Sequence, residues 1–211
     1  MTAILKKPQK SARKAKGDGH MRRGEILNAA ERIFVAEGYH GATIRKIADE
    51  VGVSSTALYM HFRDKDEILL EISDCAISRL LEINSQIAAE PIDAVARVRR
   101  MLEAYMRFAF DNPNAYELVF CSPSRGIGED RAGAVLELGD RCFEKYLGVI
   151  KEVAAQGRLR TGTAETAAET LWAACHGLVS LMITKPDRNW SSPDELMKVM
   201  LDGLLYGLVT D

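Results

Sequence analysis

Two short amphipathic segments joined by a glycine constrain the fold more than any other feature of this sequence. They lie in the stretch ATIRKIADEVGVSSTALYMHF, residues 42–62. Thr43 is a good N-cap for a first helix, whose apolar residues recur at helical spacing, and Gly52 is expected to stop it. Ser54 or Ser55 can cap a second helix that runs to about Phe62. The arrangement predicts a helix-turn-helix motif.

The second of these helices is expected to have two different faces. Leu58 and Phe62 are four residues apart and should pack inward. The opposite face offers hydroxyl and methyl groups at a helix start, where recognition helices meet base edges. The residues predicted to face bases are Ser55, Thr56, Ala57 and Met60. The Tyr59 hydroxyl is predicted to reach a phosphate, although the residue taken alone also suits a half-buried surface position.

Apolar residues recur at helical spacing through most of the chain, and no run has the alternating period of a strand. Helices are predicted from Arg22 to Gly38, from a capping box at Asp64 and Glu67 to about Ala88, from Pro91 to the DNP at 111–113, around Ala115–Phe120, and over about 131–156, 164–183 and 193–209. The predicted fold class is therefore all-α, with about nine helices. A small three-helix head precedes a larger helical body.

The charge distribution separates the same two regions. Residues 1–66 contain 13 Lys and Arg against eight Asp and Glu, a net charge of +5, whereas residues 67–211 carry −7. A basic end on an acidic body indicates an anionic partner such as nucleic acid. We predict a disordered basic arm at 1–20, a helix-turn-helix DNA-binding domain at 21–66 and a helical domain for ligand binding and dimerisation at 67–211.

The sequence gives little support for a metal-binding protein, a membrane-spanning protein or a protein with a signal peptide. The four cysteines are widely spaced and lack a CxxC pair, so no metal site is expected and the thiols should be small buried groups. No apolar run approaches the roughly 18 residues of a membrane span, and no apolar stretch follows the basic N-terminus. A cytoplasmic location is the expectation.

No motif indicates an enzyme. The sequence has no glycine-rich phosphate loop, HExxH or nucleophile elbow. Cys175 and His176 are adjacent on a predicted helix, so their side chains diverge by about 100° and cannot form a nucleophile–base pair by themselves. We therefore expect neither catalysis nor a cofactor.

The stretch ILNAAERIFVAEGYHGATIRKIADEVGVSSTALYMHFRDKDEILLEI, residues 26–72, resembles the TetR family of bacterial transcription regulators. Its parts AAERIFVAEGYHGAT, IRKIADEVGVS and LYMHFRDKDEIL match the family pattern in order and without a gap. The resemblance implies phosphate contacts at Thr43, Arg45, Tyr59, His61 and Lys65, and base-facing positions at Ser55, Thr56, Ala57 and Met60. The Arg45 side chain could instead pair with Asp49.

A second resemblance lies in the body. In LWAACHGLVSL, residues 171–181, Trp172, His176 and Gly177 resemble the Trp-x3-His-Gly pattern of one class of TetR-type C-terminal domains. The family implies a homodimer through the last two long helices, here about 164–183 and 194–209, and both carry broad apolar stripes. The alternative is that these stripes complete the core of a monomer.

The family also implies a small-molecule cavity in the body, and our candidates for its lining are Tyr105, Trp172 and His176. The alternatives are a filled aromatic core and a His176 that bonds only a backbone carbonyl. The function implied is that of a homodimeric repressor that binds a palindromic operator and is released by a small lipophilic effector. The alternative function is an architectural DNA-binding protein without a sensor.

Overall fold

The computed structural model describes residues 18–117, 120, 129–160 and 162–210. Within these ranges the chain forms nine α-helices, which confirms the all-α fold class. The helices are α1 (Asp18–Gly41), α2 (Ile44–Val51), α3 (Ser55–Tyr59), α4 (Lys65–Ala88), α5 (Ala94–Asp111), α6 (Pro113–Tyr116), α7 (Glu129–Ala155), α8 (Ala164–Thr184) and α9 (Pro193–Leu208). Leu159 and Val209 form an isolated antiparallel bridge.

The described helices bury two separate apolar clusters. The first joins α1, α2, α3 and the start of α4, and consists of Ile26, Ala30, Phe34, Ala42, Ile47, Ala48, Leu58, Phe62, Ile68 and Leu69. The second lies among α4 to α9 and includes Ile77 and Leu80 of α4. Helix α4 therefore contributes to both cores. The predicted division at 66/67 falls just inside its first turn, and it stays a prediction.

Side-chain caps begin the short helices of the head as the sequence predicted. The Thr43 hydroxyl oxygen accepts a hydrogen bond from the N–H of Lys46 at 3.2 Å, and the Ser54 hydroxyl oxygen accepts one from the N–H of Ala57 at 3.1 Å. Gly52 ends α2 with a φ of 73°, in the left-handed region that glycine enters without steric cost.

The capping box at the start of α4 has a variant geometry. The Asp64 carboxylate accepts from the N–H of Glu67 at 2.8 Å. The Glu67 carboxylate in turn reaches one residue further back and accepts from the N–H of Arg63, also at 2.8 Å. This backbone hydrogen bond holds the pKa of Glu67 below its usual range. Together the two hydrogen bonds tie the start of α4 to the residues just before it.

Several helix boundaries differ from the prediction, and α6 spans Pro113–Tyr116 rather than about Ala115–Phe120. Helix α3 ends at Tyr59 rather than near Phe62, because the N–H groups of His61 and Phe62 both bond back to the carbonyl of Leu58 in a tight turn. Helix α5 begins at Ala94 rather than Pro91, because Asp93 is the residue that caps it.

Helix α1 differs at both ends. It begins at Asp18, so residues 18–20 are helical rather than part of the predicted arm, and it continues past Gly38 to Gly41. Helix ends are the positions least determined by local sequence. The remainder of the arm, residues 1–17, lies outside the described residues. Gly38 breaks the regular path of α1 with a φ of 69°. None of the helices in the described ranges is both long and apolar enough to cross a membrane.

Candidate DNA interface and effector cavity

Helix α3 presents one face to the head core and the other to solvent. Leu58 is fully buried and Phe62 is 1% exposed, whereas Tyr59 and Met60 are 55% and 83% exposed. Of the other predicted base-facing residues, Thr56 and Ala57 are exposed and Ser55 is half-buried. The large exposed side chains therefore lie where the sequence expected them, on the surface opposite the core.

Arg23 of α1 holds the end of this recognition segment in place. Its guanidinium donates to the backbone carbonyl of His61 and lies 4.0 Å from the centre of the Phe62 ring. It also pairs with the Glu71 carboxylate of α4, at 2.9 Å from Nε, and this bond raises the pKa of Arg23. His61 itself is half-buried at the seam between the two faces. Sequence reasoning missed Arg23, because its partners lie 38 and 48 residues away.

Thr43 and Arg45 lie at the exposed N-terminal end of α2. The pairing of Arg45 with Asp49 is present but long, at 3.9 Å between Nε and the carboxylate. Both side chains are mostly exposed, and such surface pairs contribute only about 0–1 kcal/mol. The Arg45 guanidinium is therefore weakly held and can exchange Asp49 for another anion.

Lys65 is held more firmly than the sequence indicated. Its ammonium donates to the carbonyls of Tyr39 at 2.7 Å and Ala42 at 3.2 Å, and lies 4.0 Å from the centre of the Tyr39 ring. The Tyr39 hydroxyl donates to the Asp66 carboxylate, and burial together with this bond raises the pKa of Tyr39 to about 12. Since an ammonium has three donors, Lys65 secures the α1–α2 connection and keeps one donor for a further acceptor.

The body contains a cavity of about 290 Å³ among α4, α5, α7 and α8. Its described lining is mostly apolar, and the aromatic members are Tyr105, Phe120, Phe143, Tyr146 and Trp172. Tyr105 and Trp172 were predicted as lining residues from the sequence. His176 is absent from the described lining.

His176 lies behind Tyr105 instead. Its Nδ1 is 3.2 Å from the Tyr105 hydroxyl and 2.8 Å from the Tyr116 hydroxyl. Burial lowers the pKa of His176 from its usual 6.5, so the ring favours the neutral form. The histidine therefore ties α5, α6 and α8 together and fixes Tyr105 at the cavity wall. Tyr116 had no distinguishing signal in the sequence beyond being aromatic.

The outer surfaces of α8 and α9 carry apolar side chains that the body does not cover. Leu181 is 52% exposed, Val199 65% and Tyr206 80%. Within α9 the residues that face the core are Met197, Leu201 and Leu205. The other residues of the apolar stripes on these two helices are half-buried, namely Leu178, Met182, Leu196, Met200, Leu204 and Leu208. The monomer core therefore uses one side of α9 and leaves a second apolar side exposed.

The cysteines show no catalytic arrangement among the described residues. Cys175 is fully buried, and burial raises its pKa to about 12, which keeps the thiol protonated beside His176. Cys142 is buried, but Cys75 is exposed on α4, so the expectation of buried thiols was wrong for that residue. Cys75 lies on the solvent side of an amphipathic helix, where spacing rather than residue type decides exposure.

Comparison with protein families matches both parts of the chain. Residues 26–72 match the bacterial regulatory proteins of the tetR family, and residues 98–204 match the tetracyclin repressor-like C-terminal domain. The chain belongs to the TetR family. Members of this family are DNA-binding transcriptional regulators. Assignment to the Trp-x3-His-Gly class stays a prediction.

Two characterised relatives illustrate the range of the family. The chain is 36% identical to the transcriptional activator FasR of Mycolicibacterium smegmatis over 99 residues, which are 47% of this chain and 45% of FasR. It thus spans less than half the length of that relative. It is 30% identical to the nucleoid occlusion factor SlmA of Photorhabdus laumondii over 172 residues, covering 77% of this chain and 82% of SlmA.

Solved structures share the fold along most of the chain. The TetR-family regulator PfmR of Thermus thermophilus superposes with a TM-score of 0.72 at 24% identity, covering 86% of this chain and 97% of PfmR. The regulator FadR of Bacillus subtilis, solved in complex with stearoyl-CoA, gives 0.70 at 17% identity and covers 87% and 98%. These likenesses establish the arrangement of helices.

Proposed function

We propose that this chain is a homodimeric, sequence-specific transcriptional regulator that represses from a palindromic operator and is released by a small lipophilic effector. The observation that carries the proposal is the exposed face of α3, presented by a head whose sequence is that of the TetR family. Residues 21–66 would form the DNA-binding domain, 67–211 the ligand-binding and dimerisation domain, and 1–20 a basic arm. The role corresponds to a cytoplasmic location.

On the DNA, the two sets of head residues would have separate tasks. Side chains on the exposed face of α3 would enter the major groove and choose the sequence, namely Ser55, Thr56, Ala57 and Met60. Phosphate contacts would fix the position of the head, and their donors would be Thr43, Arg45, Tyr59, His61 and Lys65. The backbone N–H groups at the start of α2 add a further site for a phosphate.

A homodimer would form through the exposed apolar sides of α8 and α9. A single five-residue recognition helix reads few base pairs. Two copies related by a two-fold axis would read half-sites about 34–36 Å apart. The exposed Leu181, Val199 and Tyr206 supply the apolar area that such an interface needs, since their removal from water favours association.

The effector would act through α4, which belongs to both cores. Leu80 and Asn84 of α4 line the cavity, while Ile68 and Leu69 of the same helix pack in the head. The helix rises by about 29 Å from Lys65 to Asn84, at 1.5 Å per residue, so a small tilt at the cavity displaces the head. An effector that binds the non-DNA state more tightly would weaken operator affinity, typically by about 1–3 kcal/mol. The complex of FadR with stearoyl-CoA supports a lipophilic class of effector.

A second candidate function is an architectural DNA-binding protein without a sensor. This alternative is motivated by the similarity over 77% of this chain to SlmA, which is named a nucleoid occlusion factor rather than a transcription regulator. The two functions differ in one measurable respect, because only a sensor changes its DNA affinity when a small molecule occupies the body.

The test begins with selection of bound DNA from a random pool, followed by titration of the selected sequence and a scrambled one at two salt concentrations. A sequence-specific regulator should prefer the selected palindrome by at least about 10³-fold, whereas affinity that only follows the salt slope indicates nonspecific binding. Compounds are then screened for release of the palindrome. A selected pool without a palindrome would contradict the dimeric mode. Palindrome binding that no bound compound alters would favour the architectural role.

A further inference from the structure

The start of α1 is held against the recognition segment, residues 55–62. The Arg23 guanidinium of α1 donates a hydrogen bond to the backbone carbonyl of His61 in that segment. Helix α1 begins at Asp18, five residues before Arg23, and five residues of α-helix rise by about 7.5 Å. Residues 1–17, the part of the basic arm that precedes α1, therefore join the head less than two helical turns from the residue that contacts the recognition segment.

The net positive charge of this end of the chain lies entirely in residues 1–17, which we call the cationic segment. The cationic segment contains six Lys and Arg and no Asp or Glu, a net charge of +6. Residues 18–66 contain the other seven Lys and Arg and all eight Asp and Glu, which gives a net charge of −1. The basic residues of the segment are Lys6, Lys7, Lys10, Arg13, Lys14 and Lys16.

The basic residues of the helical part of the head already have partners within it. Six of the seven lie within 3.9 Å of a carboxylate oxygen, and the seventh, Lys65, donates to two backbone carbonyls. Duplex DNA, in contrast, carries one negative charge per about 1.7 Å of its axis. Residues 18–66 thus offer little net attraction to DNA, and the cationic segment is the part of this end that supplies it.

The composition of the cationic segment indicates contact with phosphates rather than with base edges. Five of its six basic residues are Lys, whose ammonium is a compact point charge on a flexible stem. Only Arg13 has the planar guanidinium that suits bidentate contacts to bases. Seventeen residues can extend to about 56 Å, the length of roughly 16 base pairs. The segment can therefore reach phosphates beyond those at the helix-turn-helix, in whichever direction it leaves α1.

We propose that the cationic segment is a second DNA contact, which binds the phosphate backbone beyond the helix-turn-helix without reading the base sequence. The inference rests on the DNA-binding role proposed above. Each cation that displaces counterions at a phosphate steepens the salt dependence of binding, by about 0.9 in the slope of log affinity against log salt concentration. Because phosphates carry no sequence information, the segment strengthens binding to the operator and to other DNA by the same factor.

The test compares the wild type with three variants of the full chain. The segment variant loses the three cations nearest to α1, through Arg13→Gln, Lys14→Gln and Lys16→Gln. The charge-matched control loses one exposed Arg and two exposed Lys of α7, through Arg141→Gln, Lys145→Gln and Lys151→Gln. In the third variant, residues 2–17 stand in a permuted order, so that the charge stays and the sequence does not. Fluorescence anisotropy measures the affinity of each for two duplexes of equal length, the selected palindrome and a scrambled sequence, at several salt concentrations.

We expect the segment variant to bind both duplexes at least about tenfold more weakly than the charge-matched control. Its salt slope should be flatter by at least about 2, where the loss of six phosphate contacts per dimer would give about 5. The permuted chain should bind as the wild type does. A segment variant that binds like the control would overturn the proposal, and so would a loss confined to the palindrome or to the permuted order, because either means that bases are read. The scrambled duplex gives this result even if no palindrome is selected, so the failure of the segment and the failure of the proposed function are distinguishable.

Discussion

The substitution Val199→Asp is expected to separate the two subunits of the proposed dimer without unfolding them. Val199 lies on α9 and is 65% exposed in the monomer, so its side chain contributes little to the core. Exposed substitutions of this kind usually change the free energy of unfolding by less than about 0.5 kcal/mol. A carboxylate at the same position in a dimer would face the apolar side of the partner subunit.

The size of the effect follows from the exposed area. Complete burial of a valine side chain is worth about 1.5–3 kcal/mol, so the 65% that is exposed corresponds to roughly 1–2 kcal/mol. In an isologous interface both copies contribute, which gives about 2–4 kcal/mol per dimer. At 1.4 kcal/mol per factor of ten, the dissociation constant should rise at least about 25-fold. Desolvation of the new carboxylates adds to this value.

Sedimentation velocity over a range of protein concentrations measures the dissociation constant directly. Ile83→Asp is the control, because Ile83 is another exposed aliphatic residue but lies on α4. The control should sediment as the wild type does, and circular dichroism should show both variants to be folded. If Val199→Asp dimerises as tightly as the wild type, the exposed side of α9 is not the interface and the reasoning from its apolar side chains is wrong.

Three further changes test the head and the body. Tyr59→Phe should weaken operator binding about tenfold or more through loss of a hydrogen bond to a charged phosphate, and unchanged affinity in a mobility-shift titration would remove the phosphate role of its hydroxyl. Arg23→Ala should lower the free energy of unfolding in urea by about 1–3 kcal/mol, because it leaves Glu71 and the His61 carbonyl without their shared partner, and an unchanged midpoint would contradict this. The lowered pKa of His176 means that the unfolded chain takes up a proton near pH 6.5 before the folded one does, so stability should fall as the pH drops below that value. The dependence should be shallower in His176→Gln, and equal slopes in urea melts at several pH values would argue against a histidine buried in its neutral form.

Much of the head could be predicted because its signals are local. The caps at Thr43, Ser54 and Asp64 each join residues three apart, so the sequence contains both partners side by side. The split of α3 into a buried and an exposed face follows from helical periodicity, which needs only the spacing of Leu58 and Phe62.

Other helix boundaries were harder to predict from the sequence, because an interaction that the prediction did not include decided where the helix begins. Helix α5 begins after Asp93 rather than at Pro91, since an aspartate that accepts two backbone N–H groups is the stronger start signal. The structural role of Lys65 was not predicted either, because the carbonyls to which it donates lie in a turn more than 20 residues earlier in the sequence. Neither carbonyl has any signature in the sequence.

By itself, the sequence determined the helical class, the position of the helix-turn-helix and the residues that α3 exposes, because periodicity and caps act over three or four residues. Only the tertiary structure decided which aromatic residues border the cavity and that His176 supports Tyr105 from behind. Those facts depend on how helices far apart in the chain pack against one another. The residues that make such contacts are far apart in the sequence, so no local sequence pattern indicates which of them will meet.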